Sequence, residues 1–180
     1  MQEQNTRATA WRAFRTLAAA AAAFSMVIGP AALGAPAKPA ARPIGAAAVD
    51  SARLLAADAE PGSWMASGRT YSEQRYSPLT GVNKANVSKL GLAWYGDIDT
   101  ERGQESTPVV VDGALYITTA WSKVKAYDAK TGKKLWDYDP KVDPANGAVA
   151  CCDVVNRGIA AWQGKIYLGA LDGRLIALDG

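Results

Sequence analysis

The amino-acid sequence predicts an all-β protein, a β-propeller, from two observations. From Pro108 onward, short strand-like segments are separated by Asp-Gly and Thr-Gly turns, a pattern that indicates successive β-hairpins. The pattern begins again at a constant offset of 51 residues, which matches Gly113 with Gly164, Tyr116 with Tyr167, Ile117 with Leu168, Ala126 with Ala177, and Asp128 with Asp179. A period of this size with about four short strands in each unit is typical of propeller blades.

The first blade is predicted from two consecutive hairpins. A strand, an Asp-Gly turn and a second strand are contained in PVVVDGALYITTA. The next segment, KVKAYDAKTGKKLWDYD, predicts a strand over Lys123–Asp128, a turn through Thr131-Gly132 and a strand over Lys133–Tyr138. A second blade begins with GIAAWQGKIYLGALDGRLIALDG.

The sequence stops inside the second copy of the repeat, after ALDG, where the first copy continues from AYDA into TGKKLW. A single blade cannot bury both faces of its sheet, so it needs a neighbour on each side. We therefore expect an N-terminal piece of a longer protein, with the N-terminal segment and roughly the first two blades. The alternative is a short chain that closes its ring by self-association.

A short amphipathic helix is predicted within residues 50–60, with Asp50 or Ser51 as its N-cap and Pro61-Gly62 at its end. Its apolar face is predicted from residues spaced by three and four, namely Ala52, Leu55 and Ala59. Residues 63–94 are rich in aromatic and turn residues and are expected to wrap irregularly.

Residues 1–35 have the three parts of a secretory signal peptide: a basic start, an uncharged apolar middle and a small-residue end. A membrane-spanning helix is the alternative, but the stretch is Ala-rich and is broken by Gly29-Pro30. The Ala/Pro-rich residues 36–48 indicate a flexible leader. The propeller part therefore comprises residues 49–180, and the signal predicts export to the periplasm.

The charge distribution argues against a nucleic-acid partner. The whole chain has a net charge of +3, but removal of residues 1–35 leaves 17 basic and 16 acidic residues. No basic patch is indicated in the mature chain. The absence of His excludes Ser-His-Asp or Cys-His catalysis and zinc sites with imidazole ligands in this segment.

Cys151 and Cys152 are the only cysteines. In an oxidising compartment they are candidates for a disulfide, although their Cα atoms, about 3.8 Å apart across a trans peptide, are closer than in most disulfides. Strain of this kind is found at ligand sites. Two buried thiols, or a link to another cysteine downstream, are equally compatible with the dipeptide.

Two charged residues complete the set of candidates. Arg157, in CCDVVNRG, has the planar donor fork that pairs with a carboxylate, or it is an ordinary surface or salt-bridged residue. Glu105 precedes the first inner strand, where it faces the central channel or is a solvated loop acid. Trp136 ends a strand, where its indole can pack between adjacent blades. Trp94 and Trp162 are likewise expected to have structural packing roles rather than to stack on a ligand, whereas the role of Trp121 is left open.

Together these segments resemble a known family. RGQESTPVVVDGALYITTAWSKVKAYDAKTGKKLW, CCDVVNRG and LDGRLIALD are similar to the pyrroloquinoline-quinone (PQQ)-dependent alcohol dehydrogenases of the methanol/ethanol type. The stretch GRTYSEQRYSPLTGVNKANVSKLGLAW is similar to the family's N-terminal segment. The resemblance covers roughly residues 49–180. CCDVVNRG with the upstream ES-TP motif is specific, whereas TG-K-LW occurs in many propellers.

The resemblance implies an eight-bladed propeller that holds PQQ and Ca²⁺ near its axis. Cys151 and Cys152 would form a vicinal disulfide against one face of the quinone, and Arg157 would contact a quinone carboxylate or ring oxygen. Glu105 would lie among the polar contacts and would need a nearby cation or a proton beside the anionic quinone.

The resemblance also implies oxidation of a small primary alcohol, with a periplasmic cytochrome c or a quinone as electron acceptor. In the family an Asp removes the hydroxyl proton, and hydride passes to the quinone. That Asp, the Ca²⁺ ligands and any haem c domain would lie beyond Gly180, so this segment contains no predicted catalytic or metal-ligating residue. The alternatives are a non-enzymatic periplasmic propeller scaffold, such as an outer-membrane assembly lipoprotein, and an inactive fragment.

Overall fold

The computed structural model describes residues 47–180, in which most of the regular structure is β-strand and the rest is one short α-helix and 3₁₀ turns. The signal peptide and most of the leader predicted for the preceding positions lie outside these residues. Eight strands follow one another in the order β1 Val109–Val111, β2 Ala114–Thr119, β3 Lys123–Asp128, β4 Lys134–Tyr138, β5 Cys151–Val154, β6 Ala160–Trp162, β7 Lys165–Gly169 and β8 Leu175–Asp179. Within the described part of the chain, none of the helices has the length and apolarity needed to cross a membrane.

The first sheet is an antiparallel meander, β1-β2-β3-β4, as the sequence predicts. Asp112 and Gly113 have φ angles of 52° and 83°, which are the left-handed conformations that a tight two-residue hairpin requires. Strand β4 starts at Lys134 rather than at the predicted Lys133. The reason is that the carbonyl of Lys133 still closes the preceding turn, where it accepts the N–H of Asp128 at 2.8 Å.

The second sheet, β6-β7-β8, repeats the register of the first. Val109 pairs with Tyr116 in the first sheet, and Ala160 pairs with Tyr167 in the second. Likewise, Ala114 pairs with Asp128, and Lys165 with Asp179. All four relations preserve the 51-residue offset, so the sequence repeat is a structural repeat.

The two sheets bury opposite faces against each other. In the first sheet the buried face includes Ala114 and Tyr116, while in the second sheet it includes Ile166 and Leu168. These side chains belong to one hydrophobic core, and the partly buried Trp136 and Trp162 pack against it. Since successive side chains of a strand alternate between faces, each sheet presents one face to its neighbour and the other away from it. This is the relation between adjacent propeller blades.

The N-terminal helix is shorter than predicted. Helix α1 spans Ser51–Leu55, and its N-cap is Asp50, whose side chain accepts the N–H of Arg53 at 2.7 Å. The predicted apolar face is wrong, because its three residues, Ala52, Leu55 and Ala59, are all exposed. Leu54 and Ala57 are buried instead. The buried positions Arg53, Leu54 and Ala57 keep the spacings of three and four, but they form a different face from the predicted one, and that face includes a charged residue.

A buried ionic bridge fastens α1 to the first sheet. The guanidinium of Arg53 lies 2.5 Å from carboxylate oxygens of both Glu60 and Asp112, and the Arg53 side chain is 2% exposed. These two partners raise the pKa of Arg53 despite the opposing effect of its burial. The backbone carbonyls of Ala47 and Val49 accept N–H groups of the β6–β7 turn. The N-terminal segment therefore contacts the equivalent hairpin turns of both sheets.

Residues 63–107 contain no α-helix or β-strand, which confirms the irregular path predicted for residues 63–94. A single 3₁₀ turn, Val87–Lys89, and an isolated bridge between Trp64 and Val110 are their regular features. Trp94 from this segment packs on the β3–β4 turn, where its indole N–H donates to the carbonyl of Ala129 at 3.1 Å. The predicted packing role of Trp94 is thereby confirmed.

Candidate functional site

Two segments that are far apart in sequence contact each other at three points. Arg102 Nη1 lies 2.8 Å from Asp153 Oδ1, and Arg157 Nη2 lies 3.0 Å from Glu105 Oε2. The third contact is a backbone hydrogen bond close to the first sheet, in which the N–H of Thr107 donates to the carbonyl of Arg157 at 3.1 Å. The segment before β1 and the segment that begins with β5 are therefore held side by side. All four residues predicted for the site, Glu105, Cys151, Cys152 and Arg157, lie in these two segments.

Cys151 and Cys152 occupy the start of β5, with both side chains exposed. Their Sγ atoms lie 2.7 Å apart, and both residues are free thiols in the structure. The alternative of two buried thiols is therefore wrong. The following residue, Asp153, has a φ of 62°, a left-handed conformation that turns the chain directly after the sulfur pair. The disulfide stays a prediction.

Arg157 connects the sulfur pair to Glu105. Hydrogen bonding to Cys152 is the largest cause that raises the pKa of Arg157, followed by the negative charge of Glu105. Arg157 is the cation that Glu105 was expected to need. With side chains 69% and 45% exposed, an ion pair of this kind contributes little to stability because solvent screens it. Its consequence is orientation of the guanidinium rather than stabilisation of the fold.

The surroundings of Cys151 raise the pKa of its thiol. Hydrogen bonding between the two thiols raises the pKa of Cys151, and the nearby negative form of Cys152 adds to that effect. The positive charge of Arg157 acts in the opposite direction but is the smaller influence. In the reduced state, Cys151 is therefore held mostly as the neutral thiol, which is a weaker nucleophile than the thiolate.

The cysteine turn rests on packed residues. Val154, next to the turn, is buried. A Cβ at Gly147 would come within 3.1 Å of Val154 and 3.0 Å of the ring of Trp121, so both side chains lie over this glycine. Trp121, whose role the sequence leaves open, thus packs beside the cysteine segment. Gly158 has a φ of 132°, and a Cβ there would lie 3.2 Å from the carbonyl of Thr107.

A polar network behind Arg157 was missed by the sequence reasoning. The amide of Asn156 donates to the carbonyl of Gly169 at 2.9 Å and to the hydroxyl of Ser122 at 3.2 Å. That hydroxyl also accepts the N–H of Leu171 at 3.0 Å. The network joins the Arg157 segment to both sheets. Ser122 is one polar residue in the short turn after β2, and no spacing in the sequence indicates that it meets Asn156.

The site is an open surface. An open groove of about 810 Å³ runs along Asp97–Arg102 and shares only Arg102 with the cluster. Among residues 47–180, no group of three or more His, Cys, Asp or Glu side chains is placed to hold a metal ion. The cluster therefore offers a cation, a carboxylate and two sulfurs to one side of a ligand.

Comparison with known families agrees with the fold. The family described as "PQQ: Glucose/ethanol/alcohol dehydrogenase, beta-propeller domain" matches residues 64–180. This match covers both sheets and all four candidate residues.

Curated relatives are similar over the same region. The dehydrogenase subunit of the alcohol dehydrogenase (quinone) of Komagataeibacter europaeus is 61% identical over 126 residues, which is 70% of this chain and 17% of that protein. The 1-butanol dehydrogenase (cytochrome c) of Thauera butanivorans is 50% identical over 118 residues, or 66% of this chain and 17% of the relative. The chain thus spans about a sixth of the length of these proteins.

Solved structures show the same likeness. The quinohemoprotein alcohol dehydrogenase ADHIIG of Pseudomonas putida superimposes with a TM-score of 0.74 at 55% identity, over 76% of this chain and 20% of that chain. A europium-containing methanol dehydrogenase superimposes with a TM-score of 0.66 at 42% identity, over 72% of this chain and 23% of the other.

Proposed function

Because this chain belongs to the PQQ-dependent glucose/ethanol/alcohol dehydrogenase β-propeller family, we propose that it is the N-terminal part of a periplasmic alcohol dehydrogenase. The whole protein would oxidise primary alcohols to aldehydes. The observation that carries this proposal is the convergence of the four candidate residues, Glu105, Cys151, Cys152 and Arg157, on one exposed surface. The family match alone does not require that convergence.

The residues present fit one side of PQQ, a flat cofactor with several carboxylates. The exposed guanidinium of Arg157 offers a planar set of donors that matches a carboxylate. The paired sulfurs of Cys151 and Cys152 offer a polarizable, weakly polar surface on which a ring can lie. Glu105 faces Arg157, so its charge is already balanced when an anionic ligand approaches.

We assign each residue a binding role and none a proton-transfer role. Arg157 would bind a carboxylate or ring oxygen of the cofactor, and Glu105 would hold the guanidinium in the plane that this contact needs. Cys151 and Cys152, joined as a vicinal disulfide in the exported protein, would cover one ring face and exclude water from it. PQQ, when bound, supplies the group that accepts hydride from the alcohol.

The remaining parts of the reaction would come from elsewhere in the protein. We propose Ca²⁺ as the metal, with ligands that lie beyond Gly180, as the resemblance to the family implies. The europium in the name of one structural neighbour makes a lanthanide the competing ion. A cytochrome c or a quinone would accept the electrons, as the names of the two relatives state for those proteins. The 180-residue chain by itself is expected to be inactive.

The test is reconstitution of the full-length protein. Protein produced without cofactor, then loaded with PQQ and Ca²⁺, is expected to reduce an artificial electron acceptor in the presence of ethanol or 1-butanol. The same protein without PQQ is the control and should be inactive. Absence of alcohol-dependent reduction after loading with PQQ and with either Ca²⁺ or a lanthanide would show that the protein is a scaffold rather than a dehydrogenase.

A further inference from the structure

We propose that Thr118 is a positioning residue that fixes Glu105 and Arg157 relative to each other and so sets the affinity of the site for its ligand. The identity of that ligand, PQQ, rests on the proposed function, whereas the positioning role rests on contacts within this chain. Thr118 lies in β2 and is completely buried, so it touches no ligand itself.

On one side, Thr118 holds the Glu105 segment through its backbone. The side-chain amide of Gln104 donates to the carbonyl of Thr118 at 2.6 Å. The N–H of Thr118 donates to the hydroxyl of Ser106 at 2.9 Å. Gln104 and Ser106 flank Glu105 in sequence, so both neighbours of the carboxylate are fastened to the same residue.

On the other side, Thr118 holds the Arg157 segment through its side chain. Its hydroxyl donates to the carbonyl of Asn156 at 3.1 Å. The side-chain oxygen of Asn156 in turn accepts the N–H of Gly158 at 3.1 Å. The peptide units on both sides of Arg157 are thus connected to the Thr118 hydroxyl, directly or through Asn156.

The Thr118 hydroxyl can be tested by itself, because valine replaces it with a methyl group and keeps the shape of the side chain. Thr118→Val leaves the backbone bonds to Gln104 and Ser106 but leaves the carbonyl of Asn156 without its buried donor. Thr119 supplies a matched control. It is the next residue of the same strand and is 1% exposed, and its hydroxyl has no hydrogen-bond partner among the residues that the structure describes. Thr119→Val therefore removes the same atom at the same depth without loss of a contact.

The first test measures hydrogen exchange in the full-length protein without cofactor. In Thr118→Val, peptides that cover residues 102–107 and 151–158 are expected to exchange about tenfold faster, since the hydrogen bond that joins them is lost. Thr119→Val and the hydroxyl-retaining Thr118→Ser should exchange as the wild type does. A peptide over residues 165–169 is the internal reference. Equal exchange in Thr118→Val and Thr119→Val, or an increase that extends to the reference peptide, would overturn the proposal.

The second test is a titration of the same variants with PQQ. Thr118→Val is expected to remain folded and to bind PQQ about tenfold more weakly, while Thr118→Ser and Thr119→Val bind as the wild type does. Wild-type binding together with unchanged affinity in Thr118→Val would refute the positioning role and leave the proposed function intact. A wild-type protein that does not bind PQQ would refute the proposed function, and the exchange experiment would still decide the role of Thr118.

Discussion

At the scale of single residues, the site depends on one cation that serves two neighbours. Arg157 contacts the thiol of Cys152 and the carboxylate of Glu105, and both contacts raise its pKa. Since a guanidinium remains charged at any physiological pH, the positive charge of Arg157 does not vary with pH near neutrality. What varies is the redox state of the cysteines.

The cysteine pair gives the first prediction. In mature protein isolated from its own compartment, Cys151 and Cys152 are expected to be joined, because their sulfurs are already adjacent and exposed to oxidants. Intact-mass measurement should therefore find the protein two hydrogens lighter than the dithiol form. Thiol-specific alkylation before and after reduction is the control. Two alkylated cysteines in fully oxidised material would contradict the prediction.

The sequence indicates four residues of this cluster but neither their arrangement nor the neighbouring pair of Arg102 and Asp153. CCDVVNRG and the ES-TP motif indicate Glu105, Cys151, Cys152 and Arg157 through their resemblance to a family. Their contact depends on the meeting of two irregular segments, which no local periodicity describes. Thr118 was missed for a related reason: within β2 it has the signature of an ordinary buried strand residue.

At the scale of elements, tertiary contacts decide which face of helix α1 is buried. Its five residues form little more than one turn, and the ion pairs of Arg53 with Glu60 and Asp112 decide which side faces inward. The sequence correctly indicates the helix and its Asp50 cap. It cannot indicate the buried side, because a charged residue occupies it.

The helix gives the second prediction. Leu54→Ala should lower the free energy of unfolding by about 2 kcal/mol, since Leu54 is only 9% exposed and belongs to the core. Leu55→Ala is the matched control and should change it by less than about 0.5 kcal/mol, because Leu55 is 77% exposed. Denaturant unfolding of the full-length protein measures both. Equal losses in the two variants would contradict the assignment of Leu54, rather than Leu55, to the buried face of the helix.

At the scale of the whole molecule, the two sheets are copies in sequence but not in environment. Tyr116 is fully buried between the sheets, whereas its equivalent, Tyr167, is only partly buried. The 51-residue offset correctly predicts the strands and their register. The offset cannot predict which face of a sheet is buried. Matched residues such as Tyr116 and Tyr167 lie on corresponding faces, but the two sheets bury opposite faces against each other.

The inter-sheet position of Tyr116 gives the third prediction. Burial raises its pKa to about 12, above the usual value of about 10. Between these pH values the folded protein retains a proton that the unfolded chain has lost, so stability falls as pH rises from about 10 to about 12. The free energy of unfolding of Tyr116→Phe should decrease less over this pH range than that of the wild type. Tyr76→Phe changes an exposed tyrosine and should show the same decrease as the wild type. Denaturant unfolding at pH 9 and pH 11 makes the comparison, and parallel declines in both variants would contradict it.

The most direct test of the central claim is an equilibrium titration of the full-length, cofactor-free protein with PQQ. Arg157→Ala should weaken binding roughly tenfold to a hundredfold, as expected for the loss of a charged hydrogen bond to a carboxylate. Arg174→Ala removes another exposed arginine, which pairs with Asp172 and with the carbonyl of Pro140 rather than with Glu105, and this variant should bind PQQ as the wild type does. Equal affinity in Arg157→Ala and the wild type would contradict the assignment of this surface as a PQQ site.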